Sequence, residues 1–109
     1  MVERGRVEKE LVENARRYSE RIKKRYWILS FLYNHRTESP SNLYAISRAV
    51  EERMNLTVRD QDIRDLIEEL IARRMIVRKT DANSNANYQI SEFGSQWWQK
   101  HGEALNQIL

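Results

Sequence analysis

The feature that most limits what this chain can fold into lies late in it. Two short apolar segments flank a polar loop: "MIVRKT" (Met75 to Thr80), "DANSNAN" (Asp81 to Asn87) and "YQIS" (Tyr88 to Ser91). Asn tolerates turn conformations, so the middle piece reads as a hairpin loop and the outer pieces as its strands. Tyr88 and Ile90 fall on one face of the second strand, Gln89 and Ser91 on the other. The rest of the chain has helical periodicity, so the hairpin is expected to rest on a helical core through Tyr88 and Ile90.

Residues 3–25 place Val7, Leu11, Ala15, Tyr18, Ile22 and Tyr26 on one narrow helical stripe with charged flanks. A stripe of this width suits a helix packed along one partner, for which another subunit is a candidate. "YWILSFLYN" (Tyr26 to Asn34) is apolar nearly all round and should be buried. It either continues the first helix or begins another after a bend. "HRTESPSN" (His35 to Asn42) holds the only proline and has turn composition, with Ser39 or Ser41 as cap of the next helix and Pro40 near its first turn. That helix is expected over Ser41 to Met54, with Leu43, Ile46 and Val50 inward. The next is expected over Asp60 to Arg73, with Ile63, Leu66, Ile67 and Leu70 inward and Asp60 and Asp62 capping its dipole. A last helix should open at Ser91 or Glu92, with Ser91 as cap and Gly94 allowing close approach to the sheet. On it Phe93, Trp97, His101, Ala104 and Ile108 share one face, with Trp98, Leu105 and Leu109 beside it.

A chain of 109 residues with 40% hydrophobic and 32% charged side chains suits one globular domain with a charged surface. Without cysteine it has neither disulfides nor thiolate metal sites. His35 and His101 are far apart and point to no metal. No Gly-rich phosphate loop and no nucleophile–base pair is present, so neither an enzyme nor a cofactor is expected. No apolar run reaches membrane-spanning length and no signal-peptide core is seen; the expected location is the cytoplasm. The net charge of +3 is unevenly spread. Residues 1–25 hold nine Lys and Arg against five Glu, and the excess gathers in "RRYSERIKKR" (Arg16 to Arg25). A basic cluster favours phosphate backbones. The plainer reading is a solvated helix laced with pairs such as Glu13–Arg17 and Glu20–Lys24.

The expected order is a basic helix, three helices, a hairpin and a closing helix. This is a mainly α chain with a small β-hairpin (α+β), laid out as a winged helix-turn-helix with added N- and C-terminal dimerisation helices. Residues 1–25 form the basic N-terminal helix, 26–91 the winged helix-turn-helix and 92–109 the C-terminal dimerisation helix.

"YAISRAVEERMNLTVRDQDIRDLIEELIARRMI" (Tyr44 to Ile76) resembles the PadR family of transcription regulators. Tyr44, Ile46, Val50, Glu51, Glu52, Leu56, Val58, Ile63, Ile67, Leu70 and Ile76 fall into the family's frame without a gap. "YQISEFG" (Tyr88 to Gly94) resembles the Tyr-x-Leu-Thr-x-x-Gly that closes the wing in PadR and the broader MarR-like group, and "WILSFLYN" the family's first helix. The likeness covers residues 26–100. Arg74 stands where the family has Gly, at a position that calls for a left-handed conformation. "RDQD" (Arg59 to Asp62) replaces the usual Ser-Pro-Gly-Thr, and the Gly before Tyr44 is missing. Such departures suit a distant archaeal or viral relative as well as a family member.

The resemblance implies a DNA-binding repressor that acts as a homodimer, with the helix near residues 60–73 in the major groove. Arg59, Gln61 and Arg64 are then the base-contact candidates, since Arg pairs with guanine and Gln with adenine. Backbone candidates are Ser41, Asn42, Arg78, Lys79, Asn83 and Asn85, and the basic residues Arg16, Arg17, Lys23, Lys24 and Arg25 on flanking DNA. The dimer interface is expected at Leu11, Tyr18, Ile22, Trp97, Trp98, His101, Leu105 and Ile108. In part of the family, interface aromatics line a pore for flat effectors. Trp97 or Trp98 is placed to do so here, but plain packing is the favoured reading of both, and nothing else indicates an effector. The acidity of the third helix (Asp60, Asp62, Asp65, Glu68, Glu69) opposes phosphate binding unless Asp65 and Glu68 pair with Arg64 or Arg48. It keeps open a second reading, a winged-helix protein-interaction module.

Overall fold

The computed structural model describes residues 2–108, and the side chains of 9–107. Four helices and one hairpin follow in the order α1 (Val2–Asn34), α2 (Leu43–Met54), α3 (Asp60–Ala72), β1 (Ile76–Thr80), β2 (Ala86–Ile90) and α4 (Glu92–Ile108). The basic segment and the apolar segment after it form one helix of 33 residues, so of the two alternatives the apolar segment continues the first helix. The reason is local: no Gly or Pro interrupts the chain between Arg6 and Asn34.

The core forms where four faces meet. Ile28, Leu29 and Leu32 come from α1, Ile46 and Val50 from α2, and Ile63, Leu66, Ile67 and Leu70 from α3. Ile76, Tyr88 and Ile90 close it from the hairpin. The hairpin is antiparallel, with Ile76 opposite Ile90 and Arg78 opposite Tyr88. Tyr88 and Ile90 are buried on the same face, as their alternation predicted. β1 lies within one residue of its expected bounds, whereas β2 starts two residues early, because Ala86 and Asn87 pair with Thr80 and Lys79 and shorten the loop.

Two caps differ from expectation. Asn42, not Ser39 or Ser41, caps α2, its Oδ1 accepting from the Ala45 N–H at 2.8 Å. Ser41 is drawn elsewhere: its N–H donates to the Tyr88 carbonyl (2.9 Å) and its carbonyl accepts from the Tyr88 N–H (2.7 Å), adding a one-residue third strand beside β2. Asp60 and Asp62 lie in the first turn of α3, but the N-cap is Arg59 and makes no side-chain capping bond.

The end of α3 follows from Arg74. Its φ is 64°, the left-handed conformation that Gly usually supplies. The Met75 N–H reaches the Leu70 carbonyl and the Arg74 N–H the Ile71 carbonyl, both at 2.9 Å. These are the two bonds of a Schellman ending, made here with Arg. The chain then enters β1 directly.

Ser91 and Gly94 fasten α4 to that corner. The Ser91 N–H donates to the Met75 carbonyl (2.9 Å) and its Oγ donates to the Arg74 carbonyl (2.6 Å). The same Oγ accepts from the Gly94 N–H (2.9 Å), the N-cap bond. A Cβ on Gly94 would stand 2.2 Å from the Met75 carbonyl oxygen, so only Gly fits there. Further along, Trp98 folds over Gly102 and packs on Tyr26, ring centroids 4.9 Å apart, while the Tyr26 hydroxyl donates to Asn106 (2.9 Å).

Candidate nucleic-acid interface

The buried stripe of α3 leaves Gln61, Arg64, Asp65 and Glu68 exposed on the opposite side. This is the face expected to meet a major groove. Its internal bonding differs from the expectation that Arg64 or Arg48 would pair with Asp65 and Glu68. Gln61 donates to Asp65 at 2.8 Å. Glu68 pairs with Arg78 of β1. Arg48 reaches Asp60 (3.0 Å) and Glu51 (3.2 Å) and lies over the Tyr44 ring. Arg59 folds back on Asp62 at 3.2 Å. Among the described residues, Arg64 has no ion-pair or hydrogen-bond partner for its side chain. Of the three base-contact candidates it is thus the one with an open guanidinium.

Glu69 has a different task. Arg25 donates to it at 2.5 and 3.1 Å, and Arg21 adds a second short bond. Partial burial at this seam works against the charge, but hydrogen bonds from Arg25 and Arg21 outweigh it, so the Glu69 carboxyl is held below its ordinary value of 4.5. Glu69 therefore ties the basic half of α1 to α3. Beside the seam, Arg17, Glu20, Arg21 and Lys24 face Asp62 and Asp65 across a cleft of about 250 Å³.

The remaining backbone candidates fall into two groups. Lys79, Lys23 and Lys24 have no side-chain partner among the described residues. The others are engaged: Arg16 and Arg17 pair with Glu13 at 2.6 and 3.6 Å, Arg25 with Glu69, and Arg78 with Glu68. At the helix-turn-helix entrance, Asn42 uses its side-chain oxygen as the α2 cap and Ser41 uses its backbone in the bridge to Tyr88, so the Ser41 N–H is closed to a phosphate.

The wing tip is an ordered turn built on Asp81. One carboxylate oxygen accepts from the backbone N–H groups of Asn83 and Asn85, each at 2.9 Å, and the other from the Asn87 amide at 3.3 Å. The bond from Asn85 contributes most, and together they hold the Asp81 carboxyl below its ordinary value. Ser84 takes the left-handed conformation (φ 64°). Asn83 and Asn85 stand exposed at the tip.

Of the expected interface residues, Leu11 and Tyr18 are 63% and 66% exposed, and Val12, absent from the expectation, is 69% exposed. Ile22, Trp97 and Leu105 are half-buried, and His101 is exposed beside the Trp97 ring (4.9 Å). Trp98 is covered by Tyr26 and Tyr33 of its own chain. The side chain of Ile108, and Leu109 entirely, lie outside the described residues. Sequence reasoning missed Arg21, Val12 and Asp81, and it named Arg48 with Asp65 and Glu68 as its partners where the structure gives Asp60 and Glu51. Val12 adjoins the stripe that it read, whereas the Arg21–Glu69 contact spans 48 residues and has no local signal.

Among the described residues, no helix is long and apolar enough to cross a membrane, and no group of three His, Cys, Asp or Glu could hold a metal. Neither a known family profile nor a curated protein matches the sequence. Solved structures do resemble it. MepR, a transcription regulator of the Staphylococcus aureus multidrug efflux pump MepA, aligns over 95% of this chain and 74% of its own, with TM-score 0.65 and 16% identity. The S. aureus MepR–DNA complex aligns over 99% and 86%, with TM-score 0.63 and 15% identity. A PadR-like transcription factor from Bacteroides fragilis aligns over 88% and 99%, with TM-score 0.61 and 15% identity. This chain is a winged helix-turn-helix of the kind found in these transcription regulators.

Proposed function

We propose that the chain is a sequence-specific, double-stranded DNA-binding transcription regulator that acts as a homodimeric repressor. In this reading α3 of each subunit enters the major groove and the wing tip, Asn83 to Asn85, lies on the backbone. The observation that carries it is Arg64: an exposed, unpartnered guanidinium on the outward face of α3, beside an ordered wing. A free guanidinium can bond bidentately to the O6 and N7 of guanine. Lys79, Lys23 and Lys24 would supply phosphate contacts. The DNA complex of MepR, a protein of like fold, supports the reading.

The dimer would form through the exposed apolar side chains of the outer α1, namely Leu11, Val12 and Tyr18, with the edge of α4. Trp98 then serves packing within the chain and not an effector pore, because Tyr26 already covers it. The rival reading, a protein-interaction module, rested on the acidity of α3. Those carboxylates hold side chains of this chain, which leaves less free charge for a partner.

The test is binding to the duplex upstream of the protein's own gene at two salt concentrations, with footprinting. Selective binding that weakens steeply with salt supports a regulator, because phosphate contacts release counterions. A protected length of two half-sites, about one DNA turn apart, supports the dimer. Absence of binding to this and to random duplex at low salt refutes the proposal.

A further inference from the structure

Resting on the DNA-binding reading above, we infer that Glu68 is a specificity-determining residue: it holds Arg78 and so withholds a wing cation from the phosphates of unselected DNA. Between Asp60 and Ala72, α3 carries five carboxylates and one arginine. Each carboxylate accepts from a donor. Arg48 takes Asp60, Arg59 takes Asp62, Gln61 takes Asp65, Arg78 takes Glu68, and Arg21 with Arg25 takes Glu69. A guanidinium that bonds a carboxylate is the same group that would bond a phosphate. Carboxylates on this helix therefore compete with DNA for the cations around it.

Most of these acids have another reason to be there. Asp60 and Asp62 sit in the first turn, where the helix dipole favours them. Glu69 fastens α1 to α3. Glu68 has neither reason. It lies beyond the first turn, on the side opposite the buried stripe, and its side chain is 47% exposed, that of Arg78 44%. A pair so exposed adds little to stability. What it does is neutralise a wing cation and place a negative charge on the face that would enter the groove. On arbitrary duplex, an Arg78–phosphate contact must break this pair and leave Glu68 unpaired near phosphates. Only a site that also satisfies the base-contacting side chains of α3 offsets that loss.

The test compares the full-length protein with Glu68→Gln, Arg78→Gln, the double variant and Glu103→Gln, which changes the net charge equally from α4. Binding to random duplex and to the selected upstream duplex is titrated across salt. Glu68→Gln should strengthen random-duplex binding about three- to tenfold at low salt, and the selected duplex less. It should also steepen the slope of log affinity against log salt by about 0.9, the value of one added phosphate contact. Arg78→Gln in the same chain should abolish both changes. If Glu68→Gln behaves as Glu103→Gln does, the inference is overturned while the DNA-binding reading stands. If wild type and all variants bind no duplex at low salt, the DNA-binding reading fails and carries this inference with it.

Discussion

Gly94→Ala is the substitution on which two physical effects predict opposite signs. Gly94 is the third residue of α4, and Ala in a helix is favoured over Gly by about 1 kcal/mol. On propensity alone the variant would be more stable. The packing says otherwise. The new Cβ would lie 2.2 Å from the Met75 carbonyl oxygen and 2.9 Å from Ile90 Cγ1, where ordinary contact begins at 3.4 Å. That oxygen cannot withdraw freely, because it accepts from the Ser91 N–H and its residue closes the Schellman ending of α3. Relief requires more than an ångström of backbone movement at the junction of α3, β1 and α4. Overpacking of this kind costs about 3 kcal/mol, the upper end of the usual range. The net loss is then about 2 kcal/mol, and the melting temperature should fall by about 8–16 °C for a domain of this size. Thermal unfolding followed by circular dichroism measures it. Gly102→Ala is the contrast, since the three atoms nearest its Cβ all belong to the Trp98 ring, the first 2.6 Å away. It should cost under about 1 kcal/mol and appear mainly as altered tryptophan fluorescence, because a side chain can shift where a backbone cannot. An unchanged or higher melting temperature for Gly94→Ala would refute the close-approach argument.

Two further predictions concern stability. The Ser47 hydroxyl is fully buried and has no hydrogen-bond partner among the described residues. An unpaired buried hydroxyl is unfavourable, and Ala is the better helix former, so Ser47→Ala should stabilise by about 1 kcal/mol in denaturant unfolding; a loss of that size would show that the hydroxyl is bonded. The lowered pKa of Glu69 means that its ion pairs stabilise the fold above the ordinary carboxylate value of 4.5, and that this contribution is lost as pH falls through the folded value. The stability gap between wild type and Glu69→Gln should be open at neutral pH and close in acid; a gap independent of pH would contradict the Arg21–Glu69–Arg25 seam.

Local signals in the sequence were reliable where the cause was local. The stripes of Ile63, Leu66, Ile67 and Leu70 and of Ile46 and Val50 marked the buried faces of α3 and α2. Ser91 and Gly94 showed how the last helix meets the sheet, and Arg74, expected to need a left-handed conformation, adopts one. Readings failed where a distant residue decided. Ser41 has the right side chain for a cap, but Tyr88, 47 positions away, draws it into the sheet and leaves the cap to Asn42. The acidity of α3 looked like a problem for DNA in part because the partners of Asp60, Glu68 and Glu69 come from α2, β1 and α1, which no periodicity connects. The contact of Trp98 with Tyr26 had no local signal, because Tyr26 lies far upstream.

The central claim is that α3 reads DNA through Arg64. The measurement that tests it most directly is the affinity of Arg64→Ala for the selected upstream duplex and for random duplex, beside a Lys23→Ala, Lys24→Ala double variant. The account predicts that Arg64→Ala loses about 1–3 kcal/mol on the selected site and little on random DNA, as expected when one bidentate base contact is removed. The lysine variant should weaken both alike and flatten the salt dependence. Equal loss on both sequences for Arg64→Ala, or no loss on either, would contradict the assignment of this face.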